Sequence, residues 1–426
     1  MTTVAPARRA AFTVVRRVFE QGAYADRALT GEAHALDPRD RGLATQLAYG
    51  AVQRRATLDH IIEQLAGRPT AKLSAPVLAA LRIGLMQLLF LDGVADHAAV
   101  NESVELAKAG GAPGAKLVNA VLRRAARDGR TLLDGLSDDT PKEAAVMHSV
   151  PSWLAAKWWQ ELGADEARSL LRVVNDPPES ALRVNTLVAG VDEVAGRLPV
   201  PARPAAGLSE GLVLEGPFDL EGSELWQEGA VMGQSRGSMA VARVVGPSPG
   251  HRVLDLCAAP GAKTTHLAAL LGCEGEVIAV EQHPARADAL RRTCARMHAG
   301  CVRVEAGDAA QPRSGERFDC VLVDSPCSGL GTLQSRPDIR WRATPDSIAQ
   351  LAGLQLRILG AGAVATAPGG ALVYSVCTIS RPEADELIEA FLADHPQFDV
   401  EESLQLLPHR DGTDGFFVAR LRRGAE

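Results

Sequence analysis

Along the first 130 positions apolar residues recur every three or four places, as in Ala11, Val14, Val15 and Val18 or Ile61, Ile62 and Leu65, without strand-like alternation. A helix turns once in about 3.6 residues, so this spacing gathers them on one face and predicts an all-helical bundle. Pro76 suits the first turn of a helix carrying Leu78, Leu81, Leu85, Leu88 and Leu89, and Asn101 is expected to cap or begin another with Val104 and Leu106 on one face. A second segment opens near Pro141 and concentrates Trp153, Trp158 and Trp159, which are expected to pack a joint between domains. Between Asn175 and Gly250 Pro and Gly are frequent and strand-like pieces are short, at 181–185 and 211–214, predicting a small mixed α/β connector.

From Gly250 apolar runs at 252–256, 276–280, 301–304, 318–323 and 371–376 alternate with helical stretches. That alternation predicts a Rossmann-like α/β domain, a parallel sheet covered on both faces with ligands outside the carboxyl ends of its strands. A helix near 383–393 and a turn at 411–415 leading into 416–421 predict a late edge hairpin. The expected division is 1–135 helical, 136–235 connector, and 236–426 α/β.

Composition removes some alternatives. With a mean hydropathy of -0.01 and no uninterrupted apolar run of about 18 residues, no membrane span is expected. Arg8, Arg9, Arg16 and Arg17 interrupt the apolar positions at the N-terminus, so no export signal is read and a cytoplasmic protein is expected. Seven cysteines, an odd count in 426 residues, predict free thiols rather than a disulfide framework. The net charge of -7 conceals an asymmetry: residues 1–130 hold 18 Lys and Arg against 12 Asp and Glu, the remainder 27 against 40. A basic helical module beside an acidic domain fits a polyanionic partner, although a solvated arginine face gives the same count.

The first apolar run of the α/β domain leads into Asp255-Leu256-Cys257-Ala258-Ala259-Pro260-Gly261-Ala262-Lys263-Thr264-Thr265-His266. Small residues there let a ligand approach backbone amides before a helix begins, although neither G-x-G-x-x-G nor a P-loop is present. Glu281 ends the second strand, where a carboxylate can accept both hydroxyls of a ribose, and Asp308 follows the third, within reach of an adenine amine. The fourth and fifth strands end in Asp324-Ser325-Pro326-Cys327-Ser328-Gly329 and Ser375-Val376-Cys377-Thr378, so two thiols emerge at neighbouring strand ends. A thiolate can activate a pyrimidine by adding to carbon 6, and a carboxyl at Asp324 can hydrogen-bond N3. Spacing alone does not decide which thiol attacks. Cys273, Cys294, Cys301 and Cys320 lack paired metal-ligand spacing and are expected in small buried apolar positions, so no metal is expected; His97 and His266 stand isolated.

The stretch from Asp255 to His266 resembles the D-x-C-A-A-P-G-[GA]-K-T loop of the Nop2/Sun/Fmu RNA cytosine-5 methyltransferases, and the N-terminal bundle, residues 1–135, with Asp96-His97-Ala98-Ala99-Val100-Asn101-Glu102-Ser103-Val104, resembles a NusB-type domain. Together they cover nearly the whole chain and are similar to the bacterial small-subunit ribosomal RNA enzymes of that family. The resemblance implies a class I methyltransferase domain, S-adenosylmethionine as cofactor and 16S ribosomal RNA as substrate, docked by the basic bundle. It implies Cys377 as nucleophile, Cys327 in resolving the adduct, Asp324 at the base and Lys263 as the cation of the site. Cofactor contacts are implied for Cys257, Ala258, Ala259, Pro260, Gly261, Lys263, Glu281, Arg286, Asp308 and Asp324. Arg336-Pro337-Asp338-Ile339-Arg340-Trp341 resembles the family's P-D-x-[RK]-W stretch and suits phosphate contacts with a stacked base; Trp341 also reads as a core residue. The departures are Glu281 for the usual Asp, Ser325 for the usual Ala, Val376-Cys377-Thr378 where T-C-S is usual, and Arg236 at a position where a carboxylate is expected. Transfer RNA as substrate, methylation of an exocyclic amine, and a non-catalytic antitermination or assembly factor are the competing readings.

Overall fold

The three-and-four spacing closes into helices at Pro6–Gln21, Ala25–Ala33, Pro38–Gln53, Arg55–Ala66, Ala75–Phe90, Asp96–Ala107 and Ala112–Asp134 of the computed structural model, which describes residues 4–425. Local chemistry sets their ends. Asp37 accepts from the Arg39 and Asp40 amides at 3.0 Å before Pro38, and Pro76 sits in the first turn of Ala75–Phe90 as expected. That helix is buried on nearly all sides, through Val77, Leu81, Ile83, Leu85, Met86 and Leu89. Each fully buried side chain of that size contributes about 1.5–3 kcal/mol. Gly84 allows the approach of Ala112–Asp134, since a Cβ there would lie 2.5 Å from the Leu122 side chain. Arg82, nearly buried, is held by both Asp59 oxygens at 2.7 Å.

These helices belong to one unit, comprising residues up to Asp176 with Leu333–Arg342. It continues through Pro141–Met147, Ser152–Leu162 and Ala164–Val173. Two expectations need correction here. Asn101 neither caps nor begins a helix, because Asp96–Ala107 starts five residues earlier, after Ala95 in extended conformation. Of the two arginines of the 336–341 stretch, Arg336 is exposed but Arg340 is not aimed at phosphate: it is fully buried and donates to the carbonyls of Ser149, Val174 and Leu333 and to Asn175 Oδ1 at 2.7–3.1 Å. Trp341 donates to the Val52 carbonyl at 2.7 Å and packs against the bundle core. Trp158 is buried within this unit, and Trp159 carries the Arg168 guanidinium 4.9 Å from its ring centre.

The second unit comprises Pro177–Thr332 and the chain from Ala343 onward. Its smaller sheet holds β1 (Ala181–Val184), β2 (Ala202–Ala205), β3 (Leu208–Leu214) and β4 (Val231–Gly233), antiparallel in the order β2-β3-β1-β4. The larger sheet holds β5 (Arg252–Asp255), β6 (Glu276–Glu281), β7 (Val302–Ala306), β8 (Phe318–Asp324), β9 (Thr366–Val376), β10 (Phe398–Leu406) and β11 (Phe416–Arg423). The order is β10-β11-β9-β8-β5-β6-β7, parallel from β7 to β9 and antiparallel at the hairpin. The chain winds outward in both directions from β5 and β8, so the carboxyl ends of β5, β8 and β9 meet at the switch point where such sheets bind ligands.

Helix Pro345–Ala365 is long and apolar enough, by length and composition, to cross a bilayer. Its start is a capping box of Thr344 and Ser347, and Ile348, Ile358, Leu359 and Ala363 are buried, three of them in the core shared with β8 and β9. Buried Gln355 within it bonds to Pro326 and Glu383, so its packing is that of a core helix.

Candidate active site

The loop leaving β5 is shaped by small residues. Ala258 and Ala259 are buried, and Gly261 opens helix Ala262–Leu270 at φ +110°, where a Cβ would stand 2.7 Å from Leu290 Cδ1 and 3.1 Å from Thr293 Cγ2. Asp255 is fully buried and accepts from Thr264 Oγ1 at 2.7 Å; burial pushes its carboxyl up to about 7. Its other oxygen, Oδ1, has no partner. Glu281, at the end of β6, accepts from the His283 amide at 2.9 Å and lies 3.3 Å from Arg286, which also donates to the Ala259 carbonyl at 2.8 Å. Arg286 thus ties the carboxylate to the loop. Asp308, exposed beyond β7, accepts from the Ala310 amide at 3.0 Å. A loop without side-chain bulk beside two carboxylates at the ends of adjacent parallel strands matches the donors of a ribose and an adenine amine, so the residues fit S-adenosylmethionine. Burial raises the Cys257 thiol, which keeps it protonated in that loop.

Parallel pairing brings the chemical groups together. Asp324 and Ser375 are register partners on β8 and β9, and Ser375 Oγ donates to Asp324 Oδ1 at 2.7 Å. Lys263 Nζ reaches the other oxygen of Asp324 at 2.8 Å and lies 5.2 Å from the Phe416 ring centre. Burial works against the Lys263 charge, yet Asp324, together with negative charge at Cys377 and Asp255, raises its pKa above that of a free lysine. Two residues beyond Ser375 and three beyond Asp324, the Cys377 and Cys327 sulfurs stand 3.4 Å apart, each half-buried. Cys327 is held well above the usual thiol range, first by its hydrogen bond to Cys377, then by burial and by the charges of Cys377 and Glu383. The two thiols therefore titrate as a pair, joined by a hydrogen bond in which either sulfur can donate.

Several contributors escaped the sequence reading. Glu383 is buried beneath the thiol loops, where its carboxylate accepts from the amide and hydroxyl of Ser328 at 2.8 and 2.6 Å. Only its position six residues after Cys377 pointed to it. His266 is not isolated: its Nε2 meets Glu210 Oε1 of β3 at 2.7 Å, and Arg243 bonds the same carboxylate. The pairing partner lies 56 residues away in sequence. Arg236, in its unusual position, donates to Glu179 at 2.7 Å and to the carbonyls of Asp411 and Gly412 at 2.8 and 3.0 Å. Cys294 and Cys320 are buried as expected, but Cys273 and Cys301 are half-buried with sulfurs 2.6 Å apart. Among the described residues no cluster of three or more His, Cys, Asp or Glu side chains is suited to a metal.

Comparison with known proteins agrees with this architecture. Residues 242–422 match the family "16S rRNA methyltransferase RsmB/F", residues 5–127 the NusB family, and residues 150–221 the ferredoxin-like domain of RsmF/RsmB-like methyltransferases. A Synechocystis relative named "Probable ribosomal RNA small subunit methyltransferase B" is 38% identical over 98% of this chain and 99% of its own. "Ribosomal RNA small subunit methyltransferase B" of Thermus thermophilus is 36% identical over 90% of this chain and 89% of its own. The solved structure of PH0851 superposes with a TM-score of 0.82 at 28% identity, covering 99% of this chain and all of that one. With family models matched along the chain and relatives similar over nearly its full length, the chain belongs to the RsmB/RsmF family of 16S ribosomal RNA methyltransferases, S-adenosylmethionine-dependent RNA cytosine-5 methyltransferases with a NusB-type N-terminal region.

Proposed function

We propose that this chain methylates carbon 5 of one cytosine of 16S ribosomal RNA through a covalent adduct with Cys377. The observation that carries the reading is the convergence, at the ends of β8 and β9, of two thiols 3.4 Å apart with the Asp324 carboxyl and the Lys263 ammonium, which responds to charge on Cys377. A thiolate so placed adds to carbon 6 of the ring, and the electron pair displaced from the 5,6 double bond is taken up through N3. A proton passes from the Lys263 ammonium, 2.8 Å away, through Asp324 to N3, so charge developing on the ring is neutralised without solvent. Carbon 5 of the adduct is then nucleophilic. S-adenosylmethionine, held when bound by the 257–261 loop, Glu281 and Asp308, supplies the electrophilic methyl group. With Cys377 in the adduct, the hydrogen bond and charge that hold Cys327 protonated are gone; Cys327 ionises to solvent, its thiolate takes the carbon-5 proton, the N3 proton returns through Asp324 to Lys263, and the re-formed double bond expels the Cys377 thiolate.

The basic bundle, residues 1–135, supplies electrostatic attraction for RNA, 136–235 forms the connector, and 236–426 carries the chemistry, in the cytoplasm where ribosomal RNA is assembled. The test is a denaturing gel of enzyme incubated with RNA and cofactor. Cys377→Ala is expected to give neither product nor adduct, and Cys327→Ala a stable RNA adduct. An active Cys377→Ala enzyme would sink the mechanism.

A further inference from the structure

The two thiols sit on separate loops, and strand pairing stops short of both. The last ladder partners are Asp324 and Ser375, followed by one bond from the Ser325 amide to the Ser375 carbonyl at 3.0 Å. Beyond that point the Gly331 amide donates to the Cys377 carbonyl at 3.1 Å, and the residues next to the thiols are held by one buried carboxylate. Glu383 Oε1 accepts from the amide of Ser328, the residue after Cys327, and from Gln355 Nε2 at 3.1 Å, while Oε2 accepts from the Ser328 hydroxyl. That hydroxyl lies 2.8 Å from Thr378 Oγ1, on the residue after Cys377. Gln355 also donates to the Pro326 carbonyl at 2.9 Å, and Tyr374 donates to the Glu383 carbonyl at 2.8 Å. Every one of these donors is neutral, and Glu383 is fully buried. A buried carboxylate supported by neutral donors is costly, and here its bonds reach Ser328, after Cys327, and through the Ser328 hydroxyl Thr378, after Cys377.

Resting on the reading that Cys377 attacks and Cys327 resolves the adduct, we infer that Glu383 is a positioning residue. It fixes Ser328 against Thr378 and so sets the approach of Cys327 to the adduct on Cys377, which matters for release of methylated RNA and not for the first attack. Attack needs Cys377, Lys263 and Asp324, whose placement comes from β8, β9 and the helix after β5. Release needs the second loop in place. Glutamine at this position keeps the anchor, because its oxygen accepts from the Ser328 and Gln355 donors and its amide nitrogen donates to the Ser328 oxygen.

The experiment compares Glu383→Ala and Glu383→Gln with the intact enzyme, using S-adenosylmethionine and in vitro transcribed 16S ribosomal RNA. Single-turnover methyl transfer, steady-state turnover and the covalently bound RNA fraction are read in parallel. In Glu383→Ala first-turnover transfer is expected to stay within about 5-fold of the parent, while steady-state turnover falls about 20-fold or more and adduct accumulates, as in Cys327→Ala. Glu383→Gln is expected to recover steady-state turnover to within about 5-fold without accumulated adduct. Equal losses in both phases of Glu383→Ala with no adduct, or a Glu383→Gln enzyme as trapped as the alanine variant, would overturn the assignment. The glutamine arm decides the matter if the alanine variant does not fold. Adduct formation by Cys377→Ala would instead overturn the underlying thiol assignment.

Discussion

At the scale of single residues, the site is a set of short contacts that each leave a specific group charged or neutral. Lys263 stays an ammonium because Asp324 offsets its burial, and Cys327 is held above the usual thiol range by its hydrogen bond to Cys377 and by burial. Gly261 is constrained in two ways at once, by φ +110° and by Leu290 Cδ1 at 2.7 Å from any added Cβ. Gly261→Ala should therefore bend the cofactor loop, at a strain of about 1–3 kcal/mol. Calorimetric titration with S-adenosylmethionine is expected to show affinity reduced about tenfold or more, at 1.4 kcal/mol per decade. Unchanged affinity would contradict the role given to the loop. The residues of this loop and both thiols were legible in sequence because their chemistry is carried by consecutive positions. Glu383 was not, since its function depends on a loop that returns to it from 55 residues upstream.

At the scale of elements, the helix that the cofactor loop begins, Ala262–Leu270, is fastened to β3 by His266, Glu210 and Arg243. Burial pushes His266 down to about 4, outweighing Glu210; the Glu210 carboxyl lies below its usual range because His266 and Arg243 overcome its own burial. A folded-state pKa depressed from 6.5 to about 4 contributes stability that is present above pH 6.5 and lost as pH falls toward 4. The full loss from this group is roughly 3 kcal/mol, at about 1.4 kcal/mol per pKa unit. Urea unfolding at a series of pH values should show a steeper decline between pH 6.5 and 4 for the parent than for His266→Gln. Parallel curves would show that the histidine does not carry it. Strands β5, β6, β8 and β9 were readable because their apolar runs are largely buried, whereas β7, at the sheet edge, is only partly covered. The start of Asp96–Ala107 was not, because Ala95 leaves no capping side chain to mark it.

At the scale of the whole molecule, a net charge of -7 describes neither part of the chain. The first 130 residues hold an excess of Lys and Arg, while carboxylates stand at the strand ends of the α/β sheet, among them Glu281 and Asp324. Sequence order also hides which segments pack together: Leu333–Arg342 follows the Cys327 loop directly, yet its contacts belong to the helical unit, with Arg340 buried among carbonyls. A basic residue beside an active-site motif looks like a phosphate contact until its burial is known. What the chain does as a whole is tested most directly on the RNA itself, by bisulfite sequencing of 16S ribosomal RNA from cells lacking the gene and supplied with either the parent or Cys377→Ala. One cytosine should resist conversion with the parent and become fully convertible with Cys377→Ala; protection of that cytosine by both, or by neither, would contradict covalent methylation at carbon 5.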